Sequence, residues 1–118
     1  MDKIIECLKE YGADIDGAMG RFIGDTDLYK SCFSTFIADD AFLKLGEALN
    51  AMDYDMAFEY AHSLKGTTGN MGLTPLYLII CNIVSDLRES QYSYLKDYYS
   101  KVLEQLNILK GIAIESQL

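Results

Sequence analysis

The sequence predicts an all-α fold, and three observations carry that expectation. Apolar residues recur at alternating steps of three and four at Tyr92, Leu95, Tyr99, Val102, Leu106, Leu109 and Ala113, the pattern of one buried stripe on a helix. The single proline, Pro75, follows Thr74, and the first helical position is the one that tolerates a missing amide hydrogen. No stretch alternates apolar and polar residues as a half-buried strand does.

The elements follow in order. Asp2 to Tyr11 reads as a short helix with Ile4, Leu8 and Tyr11 on one side, ended by Gly12, since a C-terminal cap favours glycine. Asp14 is placed to cap a second short helix with Ile15, Met19 and Phe22 inward. Gly24 and Asp25 mark a break, so residues 1–24 are expected to form an N-terminal helical lid. Thr26 to Ile37 is expected to be helical, with Tyr29, Cys32, Phe33 and Phe36 as its stripe. Asp39 or Asp40 begins the next helix, whose stripe is Phe42, Leu45, Leu49 and Met52. The join at 50–54 is short, so the next helix should run antiparallel to it.

That next helix begins after Asp53 as N-cap and carries Ala57, Ala61, Leu64, Thr68 and Met71 on one stripe. It is expected to end at Gly72. Thr74 should cap the following helix, whose stripe is Leu76, Ile80, Ile83 and Leu87. Glu89 to Gln91 form a turn, the last helix follows, and Gly111 suggests fraying towards Leu118.

Composition bounds the function. A chain of 118 residues, half of them apolar, is long enough for one domain with its own core. Its net charge of −8 argues against nucleic acid and against anionic membrane surfaces, which need a basic face. Cys7, Cys32 and Cys81 are widely spaced and form no zinc pattern, so reduced thiols are expected. Residues 1–6 lack a signal-peptide pattern, and the apolar run from Leu76 to Cys81 is far short of a membrane span. A cytoplasmic protein is the expectation.

The only histidine, His62, lies off the buried stripe of its helix. Its neighbours at helical spacing are Phe58, Lys65, Gly66 and Gly69. A glycine inside a helix costs about 1 kcal/mol relative to alanine. Two of them beside one imidazole thin the surface and invite close approach by another molecule. Lys65 donates without accepting, which suits a histidine that gains negative charge.

The run Ala61-His62-Ser63-Leu64-Lys65-Gly66, followed by Gly72-Leu73, resembles the motif of histidine-containing phosphotransfer (HPt) domains, helical intermediates of multistep phosphorelays. The resemblance implies an antiparallel up-down four-helix bundle over residues 25–118, with the short N-terminal helices extra to it. It implies that His62 accepts a phosphoryl group from a receiver-domain aspartate and passes it to another receiver. Lys65 would stabilise the phosphoryl group, and Gly66, Gly69 and Phe58 would form the docking surface. Arg88, late on the following helix, is a further candidate, because basic residues there assist the site in some members. At Val84 this chain is apolar where some relatives place a polar side chain.

The expected partners are response-regulator receiver domains and, beside them, a hybrid histidine kinase. Magnesium is expected on the receiver, and no metal or cofactor on this chain, which would act as a monomeric phosphoryl carrier rather than as a turnover enzyme. Blander readings stand beside these. Phe58 could equally be an edge core residue, Gly69 could serve helix packing, and Gly72 could be a cap alone. Asp53, Asp55 and Glu59 read as cap and dipole partners. The alternative function is a non-catalytic adaptor that binds a receiver or kinase without accepting phosphate.

Overall fold

Seven helices form among the described residues, 2–116 of the computed structural model: α1 (Lys3–Tyr11), α2 (Ile15–Arg21), α3 (Thr26–Ile37), α4 (Ala41–Asn50), α5 (Tyr54–Asn70), α6 (Thr74–Arg88) and α7 (Leu95–Glu115). The described residues contain no strand, and no helix among them is long and apolar enough to cross a membrane. The chain extends 44 × 25 × 20 Å along its principal axes.

The short helices are bounded by their caps. The Asp2 carboxylate accepts from the Ile4 amide at 3.1 Å, and Gly12 closes α1 in the left-handed region at φ 109°. Asp14 accepts from Gly17 N at 3.1 Å, Asp25 from Leu28 N at 3.0 Å and Asp53 from Met56 N at 3.2 Å. Each satisfies an amide that the first turn of its helix leaves without a partner.

Helix α5 is the centre of the packing, lying against α4 on one side and α6 on the other. Helix α7 packs on α6 and also reaches α1, α3 and α4. The largest fully buried side chains include Tyr29, Phe33, Leu45, Leu64, Leu76, Ile80, Ile83 and Leu109. Burying one leucine, isoleucine or phenylalanine is worth roughly 1.5–3 kcal/mol. The stripe expected on α5 is the one buried: Ala57, Ala61, Leu64, Thr68 and Met71 are all at most 1 % exposed.

Two tyrosines, Tyr29 buried and Tyr99 half-buried, tie helices together by their hydroxyls. Tyr29 of α3 donates to the Met71 carbonyl at 2.8 Å, and Tyr99 of α7 donates to the Phe42 carbonyl at 2.8 Å. Gly46 makes room for the second, since a Cβ there would collide with the Tyr99 ring. The N-terminal helices are anchored at the C-terminal end of α5. Arg21 Nε donates to the Asn70 carbonyl at 2.7 Å and its Nη2 to the Gly69 carbonyl at 3.1 Å. The Asp14 amide donates to Gly72 O at 2.8 Å. The Lys30 ammonium pairs with Asp2 at 3.0 Å and holds α3 to the start of α1.

Several element details differ from the periodic reading. Ala18 is fully buried in α2, and Met19 only partly. Cys32 is half-buried on the rim of α3. Met52 lies outside α4, 72 % exposed at φ 55°, because the Asp53 amide bonds back to Ala48 O at 2.9 Å and turns the chain before the next apolar step. Helix α4 starts at Ala41 with Asp39 accepting its amide at 2.9 Å, and Asp40 at the cap position makes no side-chain cap hydrogen bond and pairs with Lys44 instead. Helix α5 closes one residue before Met71, and Gly72 follows at φ 70°. Thr74 is the first residue of α6 rather than its cap, and its hydroxyl donates back to Gly72 O at 3.3 Å. Tyr92 precedes α7 and is exposed. Helix α7 runs through Gly111 to Glu115; residues 117 and 118, where fraying was expected, lie outside those described.

Candidate functional site

Helix α5 presents two sides. The stripe from Ala57 to Met71 faces the core, and His62 stands exposed on the other side. The exposure follows from the spacing. His62 is one residue from Ala61 and two from Leu64, so at about 100° per residue it is turned away from both.

Lys65 and Gly66 follow His62 by three and four residues, the offsets at which helix side chains are neighbours. Lys65 is half-buried. The ion pairs among the described residues are Lys30–Asp2 and Lys44–Asp40, so the Lys65 charge is unpaired by a carboxylate there. Gly66 is exposed, and a Cβ built on it meets nothing within 4 Å. No neighbour among the described residues requires glycine at that position.

Gly69 differs. A Cβ there would come within 3.0 Å of the Tyr77 ring of α6, so the missing side chain is filled from inside by an aromatic neighbour. Gly72 has two structural reasons: its left-handed φ of 70° and the Asp14 carbonyl that packs against it.

Phe58 lies one turn before His62. The two rings stack with centroids 5.6 Å apart and planes 25° from parallel. The guanidinium of Arg88 lies over the Phe58 ring, its Cζ 5.5 Å from the centroid. Helices α5 and α6 are antiparallel neighbours in which Phe58 meets Arg88 and Gly69 meets Tyr77. The same register sets His62 level with Val84, which is buried. The α6 position beside the histidine therefore offers no polar group, and Arg88 enters the site from one turn further along.

Beyond Phe58 the face continues into a groove of about 380 Å³ lined by Tyr54, Asp55, Phe58, Glu59, Arg88 and Tyr92. Tyr54 and Tyr92 stack at 3.7 Å, nearly parallel, and form one wall. Tyr54 and Tyr92 do not emerge as site residues from the sequence reading. A signal was present for Tyr54, because Tyr54, Phe58 and His62 fall at successive intervals of four. Tyr92 comes from another element, and only the fold brings it there. Another cavity, about 310 Å³ between α3 and the end of α5, is lined by Cys32, Phe36, Thr67 and Met71 among others. Thr67 is about 140° around the helix from His62, so that cavity opens on a different side.

The remaining side-chain bonds of α5 are internal. Thr67 donates to Ser63 O at 3.3 Å, and Thr68 to Leu64 O at 2.8 Å and Lys65 O at 3.1 Å. Among the described residues no group of three or more His, Cys, Asp or Glu side chains is placed to hold a metal ion. Chemically, the arrangement is an accessible imidazole with a cation one turn on, a smooth open patch at Gly66 and an aromatic shoulder capped by an arginine. No family model, curated protein or solved structure matches the chain.

Proposed function

We propose that the protein is a histidine phosphotransfer protein of a multistep phosphorelay, with His62 as the phosphoryl carrier. The observation that carries the reading is the exposure of the sole histidine on α5 with Lys65 one turn on and Gly66 opening the surface beside it. An exposed position counts against a chance motif, which a buried histidine would have favoured. On this reading α5, α6 and α7 are three members of an antiparallel four-helix bundle, and α3 with α4 supplies the fourth side. Support for that last assignment is that both α3 and α4 pack on α7. On the same reading residues 2–24 are the lid, which supports itself on the end of α5 through Arg21 and Asp14.

A ring nitrogen of the neutral imidazole attacks the phosphorus of a receiver aspartyl phosphate. The N–P bond forms as the bond from phosphorus to the aspartate oxygen breaks, and the carboxylate leaves with the electron pair. The proton on the other ring nitrogen stays on the phosphorylated imidazole or passes to water. Such a transfer asks for positioning and charge stabilisation more than for acid–base chemistry. Lys65 supplies positive charge to a phosphoryl group carrying up to about two negative charges. Gly66 admits the receiver's aspartate with its magnesium, and Phe58 adds apolar area to the docking surface. The same bonds exchange in reverse to a second receiver.

The test is label transfer from a panel of radiolabelled phospho-receivers, with His62→Gln beside the wild type. The expected result is acid-labile, base-stable label on the wild type and none on the variant, whose helical circular dichroism is unchanged. Equal label on His62→Gln, or none on the wild type from any receiver, overturns the proposal.

A further inference from the structure

Among the described residues His62 has no partner of the kind that usually orients a reactive histidine, a carboxylate or carbonyl accepting a hydrogen bond from one ring nitrogen. The side-chain hydrogen bonds of α5 belong to Asp53, Thr67 and Thr68, and Val84, level with the imidazole on α6, is buried and apolar. An exposed side chain without a partner exchanges among staggered rotamers within nanoseconds. Most of those orientations aim neither nitrogen along the line of attack.

One contact does restrain the ring. Phe58 stacks on it at 5.6 Å and 25°. At that separation the stack is offset: Phe58 lies against one side of the imidazole, and His62 remains exposed to solvent. Phe58 is itself only half-buried and needs a support. Arg88 provides one from the neighbouring helix, its Cζ 5.5 Å from the ring centroid. That placement is not dictated by an ion pair, since the ion pairs among the described residues lie elsewhere. A cation over an aromatic face is attracted by the ring quadrupole.

We infer that the column Arg88–Phe58–His62 sets the orientation of the reactive imidazole, with Phe58 as its positioning residue and Arg88 holding Phe58 in place. The inference rests on the phosphotransfer reading of His62. It gives Phe58 a role separate from docking, because a stacked ring acts on His62 even when no receiver is bound.

The experiment uses phosphoramidate, a small donor that phosphorylates imidazole by losing ammonia and needs no docking surface. The full chain is labelled as wild type, Phe58→Leu, Phe58→Tyr and Arg88→Gln, and the initial rate of phosphohistidine formation is measured. The His62 ring-proton NMR shifts are read on the same samples. Phe58→Leu keeps apolar bulk but removes the ring, and its rate should fall roughly three- to tenfold as rotamers redistribute. The ring-current displacement of the His62 protons should vanish with it. Phe58→Tyr should retain both rate and displacement. Arg88→Gln, a surface change that leaves the core intact, should slow labelling by about twofold and shrink the displacement. If the wild type is labelled and Phe58→Leu is labelled at the same rate, the positioning role is overturned and phosphotransfer stands. If the wild type takes label from neither phosphoramidate nor any receiver, the phosphotransfer reading falls and this inference falls with it.

Discussion

Gly66 and Gly69 stand one turn apart on α5, and each costs the helix about the same relative to alanine. Their surroundings are opposite. The space above Gly69 is taken by the Tyr77 ring at 3.0 Å from where a Cβ would lie, whereas the space above Gly66 is empty to 4 Å. One glycine exists for a neighbour within the chain. The other has no internal beneficiary, which turns attention to a partner outside. The same contrast runs along the helix: its C-terminal end is clamped by Arg21, Tyr29 and the Asp14 amide, and its middle, at His62 and Gly66, is exposed.

The largest effect that would break this contrast comes from Gly66→Trp. A bulky side chain there should slow transfer from receivers roughly 30-fold or more, the scale of losing a hot spot of about 2 kcal/mol. Labelling by phosphoramidate should stay within about twofold and the urea midpoint should not fall. Unchanged transfer from receivers would mean that the open space serves nothing. Gly69→Leu should do the reverse. Tyr77 must move, and overpacking costs roughly 1–3 kcal/mol, read as a lower urea midpoint. An unchanged midpoint would remove the packing reason for Gly69.

Gly66→Ala is smaller and sharpens the comparison. With nothing to collide with, it should stabilise the protein by about 1 kcal/mol, measured by chemical denaturation. A loss of stability would reveal an internal constraint at Gly66.

The least effect at neutral pH is confined to the clamped end. Burial of Tyr29 pushes its hydroxyl well above the ordinary value of 10.0, and burial raises that of Tyr11 to about 12. A folded-state value raised in this way means that the proton is held more tightly by the native chain. The associated stability is complete below pH 10 and is lost as pH rises through the folded values. The urea midpoint should therefore hold steady to about pH 10 and then drop, and Tyr29→Phe should flatten that drop. Equal slopes for the two proteins would place the alkaline sensitivity away from this hydroxyl.

How far the site was legible in the sequence differs by residue. The stripe from Ala57 to Met71 was readable because burial on a helix repeats with the helix itself. The exposure of His62 followed as its complement. The caps at Asp14 and Asp53 are also local, since each bonds an amide three residues away. Met52 kept the spacing of its stripe and still left the core, because the turn that bonds Asp53 N to Ala48 O ended the helix first. Ala18 took the buried place expected of Met19 because the smaller side chain sits where α2 meets the Gly72 turn, with its Cβ against that glycine.

By itself the sequence determined which segments are helical, where most of them begin and end, and that a lone histidine with a lysine and glycines one turn away lies off a buried stripe. These are properties of a single helix, whose period and capping chemistry are written within a few residues. Only the tertiary structure decided that Tyr77 fills the notch at Gly69, that Arg88 rather than Val84 reaches the site, and that Tyr92 stacks on Tyr54 at its edge. Those contacts depend on how far one helix slides past another. The register between helices is settled by the packing of side chains across the whole interface, and no spacing within either helix encodes it.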